Sequence, residues 1–153
     1  MTDWIEQVFP RLRGSNYAVT SPHDPGYNCI AWAAEDVTKW WDPDPHHLYF
    51  WPRDAPRKRT LEAYVAAYAH LGYELCDSPE FEAGFEKVAL FANAQGVPTH
   101  AARQLRNGRW TSKLGRGEDI EHDLRDLEGQ DYGSVSRVLR RPSPSASQRE
   151  DEG

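Results

Sequence analysis

Apolar residues recur at helical spacing in the first third of the chain. They predict a short helix within residues 3–13, which Pro10 cuts short, and a second helix that runs from Cys29 towards Trp41. The prolines of residues 42–45 forbid continuation of the second helix. This helix carries apolar residues on both faces, which is typical of a central, buried helix.

A third helix has the clearest pattern in the chain. Thr60 is a good N-cap, and the apolar stripe that follows it stops at Gly72. The stripe consists of Leu61, Tyr64, Val65, Tyr68 and Leu71. Between the second and third helices, prolines and packed aromatic residues interrupt every regular pattern. Residues 42–59 are therefore predicted to form a long loop that crosses the surface of the core.

The second half of the chain is dominated by strand patterns. Strand character occurs in residues 73–76, 85–92, 99–105, 109–114 and 133–140. An amphipathic pattern predicts a short helix over residues 118–127. The expected fold class is α+β, with N-terminal helices packed on a small antiparallel β-sheet. We predict a single domain at residues 1–141 and a disordered, low-complexity tail at residues 142–153.

Composition narrows the class of protein. A chain of 153 residues with 39% hydrophobic positions can bury one core, and a net charge of −6 disfavours non-specific binding to nucleic acid or to an anionic membrane. No apolar stretch reaches membrane-spanning length, and the N-terminus lacks the features of a signal peptide, so we expect a cytoplasmic protein.

The metal-binding residue types are sparse. Two cysteines, Cys29 and Cys76, exclude a disulfide framework and a four-cysteine zinc site. The adjacent His46 and His47 lack a spaced acidic partner, so an exposed pair of loop residues is the better interpretation. We therefore predict neither a metal nor a cofactor.

Cys29 is the strongest candidate for a reactive residue. It stands at the first turn of a predicted helix, where unpaired N–H groups and the helix dipole favour a thiolate. The alternative for Cys29 is a small buried hydrophobic residue, and for His100 a turn cap or a contact to a partner.

The order of these elements resembles papain-like folds, in particular the NlpC-type peptidases and CHAP domains. The resemblance rests on Tyr27-Asn28-Cys29, on residues 87–91 and on the strand at residues 100–108, which begins with His100. It implies a nucleophilic Cys29 and a basic His100, with the Cys29 backbone N–H and Tyr27 or Asn28 binding the oxyanion. Trp51, from the aromatic run, is a candidate substrate-binding residue together with Tyr27 and Asn28, and packing of the long loop onto the core is the alternative use of this tryptophan. The segments YNCIAWA and THAARQL also resemble a family of small bacterial proteins.

The third catalytic residue implied by this resemblance is Ser112, twelve residues after His100. However, a two-residue turn at Asn107-Gly108 would pair Arg103 with Ser112 and place Ser112 on the opposite sheet face from His100. Thr111 or Lys113 would then share the face of His100. Only a bulge or a longer turn would bring Ser112 to the histidine.

Two functions follow from these patterns. The first is a cysteine hydrolase or acyltransferase that acts on an amide or ester of a protein, peptide or small molecule. The second is a non-catalytic binding or regulatory domain, such as an interaction or immunity module, that uses the aromatic loop at residues 42–59. The absence of a strong orienting residue favours the second function.

Overall fold

A computed structural model describes residues 3–22, 24–114 and 117–143, and the fold is α+β. The helices are α1 (Asp3–Val8), α2 (Cys29–Ala33) and α3 (Leu61–Ala69), with 3₁₀ helices at Pro10–Leu12 and Leu124–Leu127. The strands are β1 (Ala18–Ser21), β2 (Glu74–Cys76), β3 (Phe85–Ala92), β4 (Pro98–Gln104), β5 (Trp110–Lys113), β6 (Asp119–His122) and β7 (Ser134–Pro142). Over the described residues they form one antiparallel sheet in the order β1-β6-β5-β4-β3-β7-β2.

The last strand, β7, lies inside the sheet. It pairs with β3 along its whole length and with β2 at Val138, Leu139 and Arg140. The strand predicted for residues 133–140 is therefore confirmed. It extends to Pro142, which the predicted boundary had assigned to the tail, while residues 144–153 lie outside the described part of the chain.

The sheet separates two hydrophobic cores. Alternation along β3 sends Val88 and Leu90 to one face and Ala89 and Phe91 to the other. We call the first face the α2 face, because α2, α3 and the aromatic loop pack on it. We call the second the α1 face, where α1, the two 3₁₀ helices and Phe9, which caps the first of them, contribute Ile5, Phe9, Leu12, Leu124 and Leu127.

The second helix is shorter than predicted. Thr60 and Asn28 cap their helices as N-caps, but α2 ends at Ala33 rather than near Trp41. Glu35 adopts a left-handed backbone with φ of 65°, which stops the helical hydrogen bonding. Trp41 lies instead directly before the aromatic loop and forms an isolated β-bridge with Phe50 of that loop.

The helix predicted at residues 118–127 is wrong. Residues Asp119–His122 form β6, which pairs with β5, and only Leu124–Leu127 are helical, as a 3₁₀ turn. Ile120 and His122 alternate inward with a period of two, and β5 offers a free strand edge for this segment. β1, a short and mostly exposed strand that pairs with β6, was not predicted from the sequence.

Candidate functional site

Asn28 connects the start of α2 to the aromatic loop. Its Oδ1 accepts the N–H groups of Ala31 and Trp41, both at 3.1 Å, and its Nδ2 donates to the Trp41 carbonyl at 2.8 Å. The side chain is 8% exposed. All the polar atoms of this amide thus serve the fold, in an arrangement that initiates the helix and fixes the loop entrance.

Tyr27 is also held in place by a buried hydrogen bond. Its hydroxyl donates to Asp119 Oδ2 at 2.7 Å, and Ser21 donates to the same oxygen at 2.6 Å. The Lys113 ammonium lies 5.0 Å from the centre of the Tyr27 ring. Burial, and secondarily the bond to Asp119, raises the pKa of Tyr27, so the hydroxyl remains protonated and acts as a donor.

Cys29 is the first residue of α2 and packs on the α2 face of the sheet. The backbone N–H groups of Ala101, Ile30 and Cys29 itself favour its thiolate form. Burial outweighs these contacts and raises the pKa of the thiol to about 11. Near neutral pH the sulfur is therefore a thiol.

The β4–β5 hairpin has a three-residue loop, so the predicted pairing of Arg103 with Ser112 is wrong. Arg103 pairs with Thr111, and the Leu105 N–H donates to the Arg109 carbonyl at 2.7 Å. Gly108 supplies the left-handed conformation of this loop, with φ of 87°. The additional loop residue places Ser112 on the same face as His100, and Ser112 Oγ lies 2.9 Å from His100 Nε2.

Ser112 also contacts His122, to which the sequence analysis assigned no role. Ser112 Oγ lies 2.7 Å from His122 Nε2, and His122 Nδ1 lies 2.8 Å from the Asp123 carbonyl. His100, Ser112 and His122 are each 0% exposed. The alternation of β6 would have placed His122 beside Ser112, but the helical interpretation of residues 118–127 hid that signal.

The hydrogen-bond partners determine which ring nitrogens of His100 and His122 carry a proton. A carbonyl only accepts, so His122 Nδ1 carries a proton and the lone pair of Nε2 accepts the Ser112 O–H. Ser112 Oγ then accepts the N–H of His100 Nε2. His100 Nδ1 is consequently unprotonated, and in the described chain it has no hydrogen-bond partner.

The structure brings His100 and Ser112 together but leaves Cys29 on the other side of the sheet. His100 pairs with Phe91 on the α1 face and stacks on Tyr132, with ring centres 4.0 Å apart. The next residue, Ala101, faces the core that contains Cys29. Within the described residues no hydrogen bond joins Cys29 to His100. Burial, and secondarily the charge of His122, holds the pKa of His100 well below its usual value, so the imidazole is neutral.

Trp51 is a buried residue of the aromatic loop. It is 4% exposed, packs edge-on against Tyr64, and donates from Nε1 to the Pro56 carbonyl at 2.9 Å. In contrast, Leu48, Tyr49 and Phe50 are 73%, 41% and 38% exposed. The loop thus combines a buried aromatic anchor with an outward-facing apolar tip.

The described ranges contain neither a metal-ligand cluster nor a membrane-spanning helix. Residues 3–22, 24–114 and 117–143 contain no group of three His, Cys, Asp or Glu side chains arranged to hold a metal ion. None of the helices in this part of the chain is both long and apolar enough to cross a membrane.

The fold and the site define an α+β protein in which one sheet carries a buried His–Ser–His trio and an ordered aromatic loop. Residues 18–140 match the family model described as Domain of unknown function (DUF7689), and the chain belongs to this family. Searches of curated proteins and of solved structures returned no match.

Proposed function

We propose that this protein is a non-catalytic binding module that uses the tip of its aromatic loop to hold an apolar segment of a peptide. The observation that carries this proposal is the exposure of three consecutive large apolar residues, Leu48, Tyr49 and Phe50, on an ordered loop. Exposed apolar clusters of this kind favour contact with a partner.

Hydrogen bonds and ring contacts within the protein hold the tip of the loop in one conformation. Asp44 accepts the backbone N–H groups of Leu48 and Tyr49 at 2.8 and 3.1 Å. Arg57 donates to the Tyr49 carbonyl at 3.2 Å, and Trp41 packs against Phe50 with ring centres 4.9 Å apart. An ordered tip loses little conformational entropy on binding, which supports a role in recognition.

The candidate catalytic residues support the same proposal. Cys29 carries a thiol with a raised pKa, and His100 is a buried, neutral imidazole on the other sheet face. A cysteine nucleophile needs a base within hydrogen-bond reach and a substantial thiolate fraction. The hydrolase built on Cys29, His100 and Ser112 stays a prediction.

We also propose a papain-like scaffold for the domain and a cytoplasmic location. The scaffold is supported by the order of a helix that begins at Cys29, a second helix and an antiparallel meander. His100 lies one residue out of phase with the face that α2 covers, so a papain-like scaffold in this chain would lack a Cys29–His100 pair.

Selection of a random peptide library against the purified protein tests the binding proposal. Peptides enriched for apolar residues should bind the wild type and lose about tenfold or more in affinity when Leu48→Ser and Phe50→Ser are combined, because two anchors are removed. Leu75→Ser, at a 57% exposed position on β2, is the matched control and should change affinity less than about twofold. Equal losses in both variants, or no enrichment at all, would refute the proposed surface.

Thiol labelling decides between the module and the hydrolase. With a pKa of about 11, the Cys29 thiolate fraction rises tenfold per pH unit from pH 6 to pH 10, and so should its rate of iodoacetamide alkylation. Mass spectrometry of the peptides that contain Cys29 and Cys76 measures both rates in one sample. If the alkylation rate of Cys29 instead stops increasing once the pH exceeds a value below about 7, the thiol is an activated nucleophile and the hydrolase is favoured.

A further inference from the structure

The aromatic loop encloses a second feature beside its apolar tip. A cavity of about 450 Å³ lies in this loop. It is lined by His47, Trp51, Pro52, Arg53, Ala55 and Arg57. A cavity of this size holds a small organic group rather than a single water molecule.

The charged lining of this cavity is basic, although the whole chain carries a net charge of −6. Two guanidinium groups, of Arg53 and Arg57, and the imidazole of His47 supply hydrogen-bond donors, while Trp51, Pro52 and Ala55 supply apolar walls. A pocket that pairs apolar walls with guanidinium groups suits an apolar molecule or side chain with a carboxylate or phosphate group.

Arg57 is held in one orientation. Its Nη1 donates to the carbonyl and to Oδ1 of Asp44 at 3.0 and 3.3 Å, and its Nη2 donates to the Tyr49 carbonyl. Asp44 offsets part of the charge of Arg57. Arg53, by contrast, is exposed and forms no ion pair within the described ranges, so its guanidinium group is available to a ligand.

His47 has a strained backbone at the edge of the same cavity. Its φ of 57° lies in the left-handed region, which is unfavourable for a residue other than glycine. The hydrogen bonds of Asp44 to the following residues hold this conformation in place. Such strain is typical of ligand sites, and here it sets His47 against the cavity.

We propose that this cavity binds an oxyanion, a carboxylate or a phosphate, with Arg53 as its main charged contact and Arg57 and His47 as oriented donors. The proposal rests on the binding function of the aromatic loop and adds the chemistry of the ligand, which is an apolar group next to an anionic one. The apolar part packs on the cavity walls formed by Trp51, Pro52 and Ala55.

Titration of the ¹⁵N-labelled protein with sodium phosphate and, separately, with N-acetylglutamate tests the pocket. Sodium chloride at the same ionic strength is the reference. The indole N–H of Trp51 reports from the wall, and its signal should shift saturably with at least one of the two anions. The anion that binds more tightly identifies the source of the oxyanion.

Arg53→Gln removes the free charge and should weaken binding about tenfold, the loss of one charge-assisted hydrogen bond. Lys58→Gln is the matched control, because Lys58 is an exposed basic residue of the same loop that does not line the cavity. Equal effects of the two substitutions, or an unsaturable shift, would overturn the proposal. If no anion binds while the combined Leu48→Ser and Phe50→Ser substitutions still weaken peptide binding, the pocket is refuted and the binding module is not.

Discussion

At the residue scale, Ser112 is the hydrogen-bond centre of the α1 face. One hydroxyl accepts from His100 and donates to His122, and the Asp123 carbonyl sets the direction of the whole chain of bonds. Burial lowers the pKa of His122 to about 4, despite the opposing contact with the Asp123 carbonyl. Both imidazoles are therefore neutral at physiological pH, which makes the trio a structural network.

Replacement of Ser112 by alanine should destabilise the fold. The substitution leaves the Nε2 atoms of His100 and His122 buried without partners, and each unpaired group costs about 1–3 kcal/mol. We expect the free energy of unfolding to fall by roughly 2–4 kcal/mol in urea denaturation at pH 7.

Ser136→Ala is the control for this prediction, since the Ser136 hydroxyl donates to the Ser134 carbonyl in an exposed position. It should change the free energy of unfolding by less than about 0.5 kcal/mol. A Ser112→Ala protein as stable as this control would show that the trio contributes nothing to folding.

At the element scale, the length of one turn decides which side chains meet. Asn107-Gly108 predicted a hairpin, and the hairpin exists, but its loop contains three residues instead of two. The change of one residue moves Ser112 across the sheet to His100. A local turn motif indicates that the chain reverses, whereas the register depends on which pairing buries Trp110 and Ser112.

The errors in helix prediction have a related cause. Segments with both helical and strand periodicity, such as residues 118–127, take the structure that their neighbours offer, and the edge of β5 offers a strand. α3, whose pattern is long and capped, was predicted with the correct start, and its predicted end at Leu71 was two residues late. The helix from Cys29 was predicted with its start correct and its end too late, because a left-handed glutamate has no clear sequence signal.

At the scale of the whole molecule, the two cores share one sheet, so each depends on the other. The family match begins at residue 18 and leaves out α1 and the first 3₁₀ helix. Yet Ile5 and Leu12 are 0% exposed and Phe9 is 3% exposed, in contact with the α1 face. The segment before residue 18 is thus an integral part of the second core.

Deletion of residues 1–16 should unfold the domain or nearly so. Burial of each of these three side chains contributes about 1.5–3 kcal/mol, so the loss is roughly 5–9 kcal/mol, against a usual total of about 5–15 kcal/mol. Circular dichroism during thermal unfolding should show a strongly lowered Tm or no cooperative transition.

The control in the full chain is Gln7→Ala, an exposed position on α1, which should leave Tm nearly unchanged. If the truncated domain has the same Tm as the full chain, the α1 face is stable without α1 and the first 3₁₀ helix. The interpretation of two coupled cores then fails.

Local sequence patterns were sufficient to predict the α+β class, the positions of most strands, the N-cap of α3 and the loop at residues 42–59. These features depend on local periodicity, prolines and capping residues, which act over a few positions. Only the tertiary structure decided that His100 faces Tyr132 and Ser112 rather than Cys29. The reason is that side chains alternate along a strand, so a shift of one residue in register exchanges the two faces, and no local pattern fixes that shift.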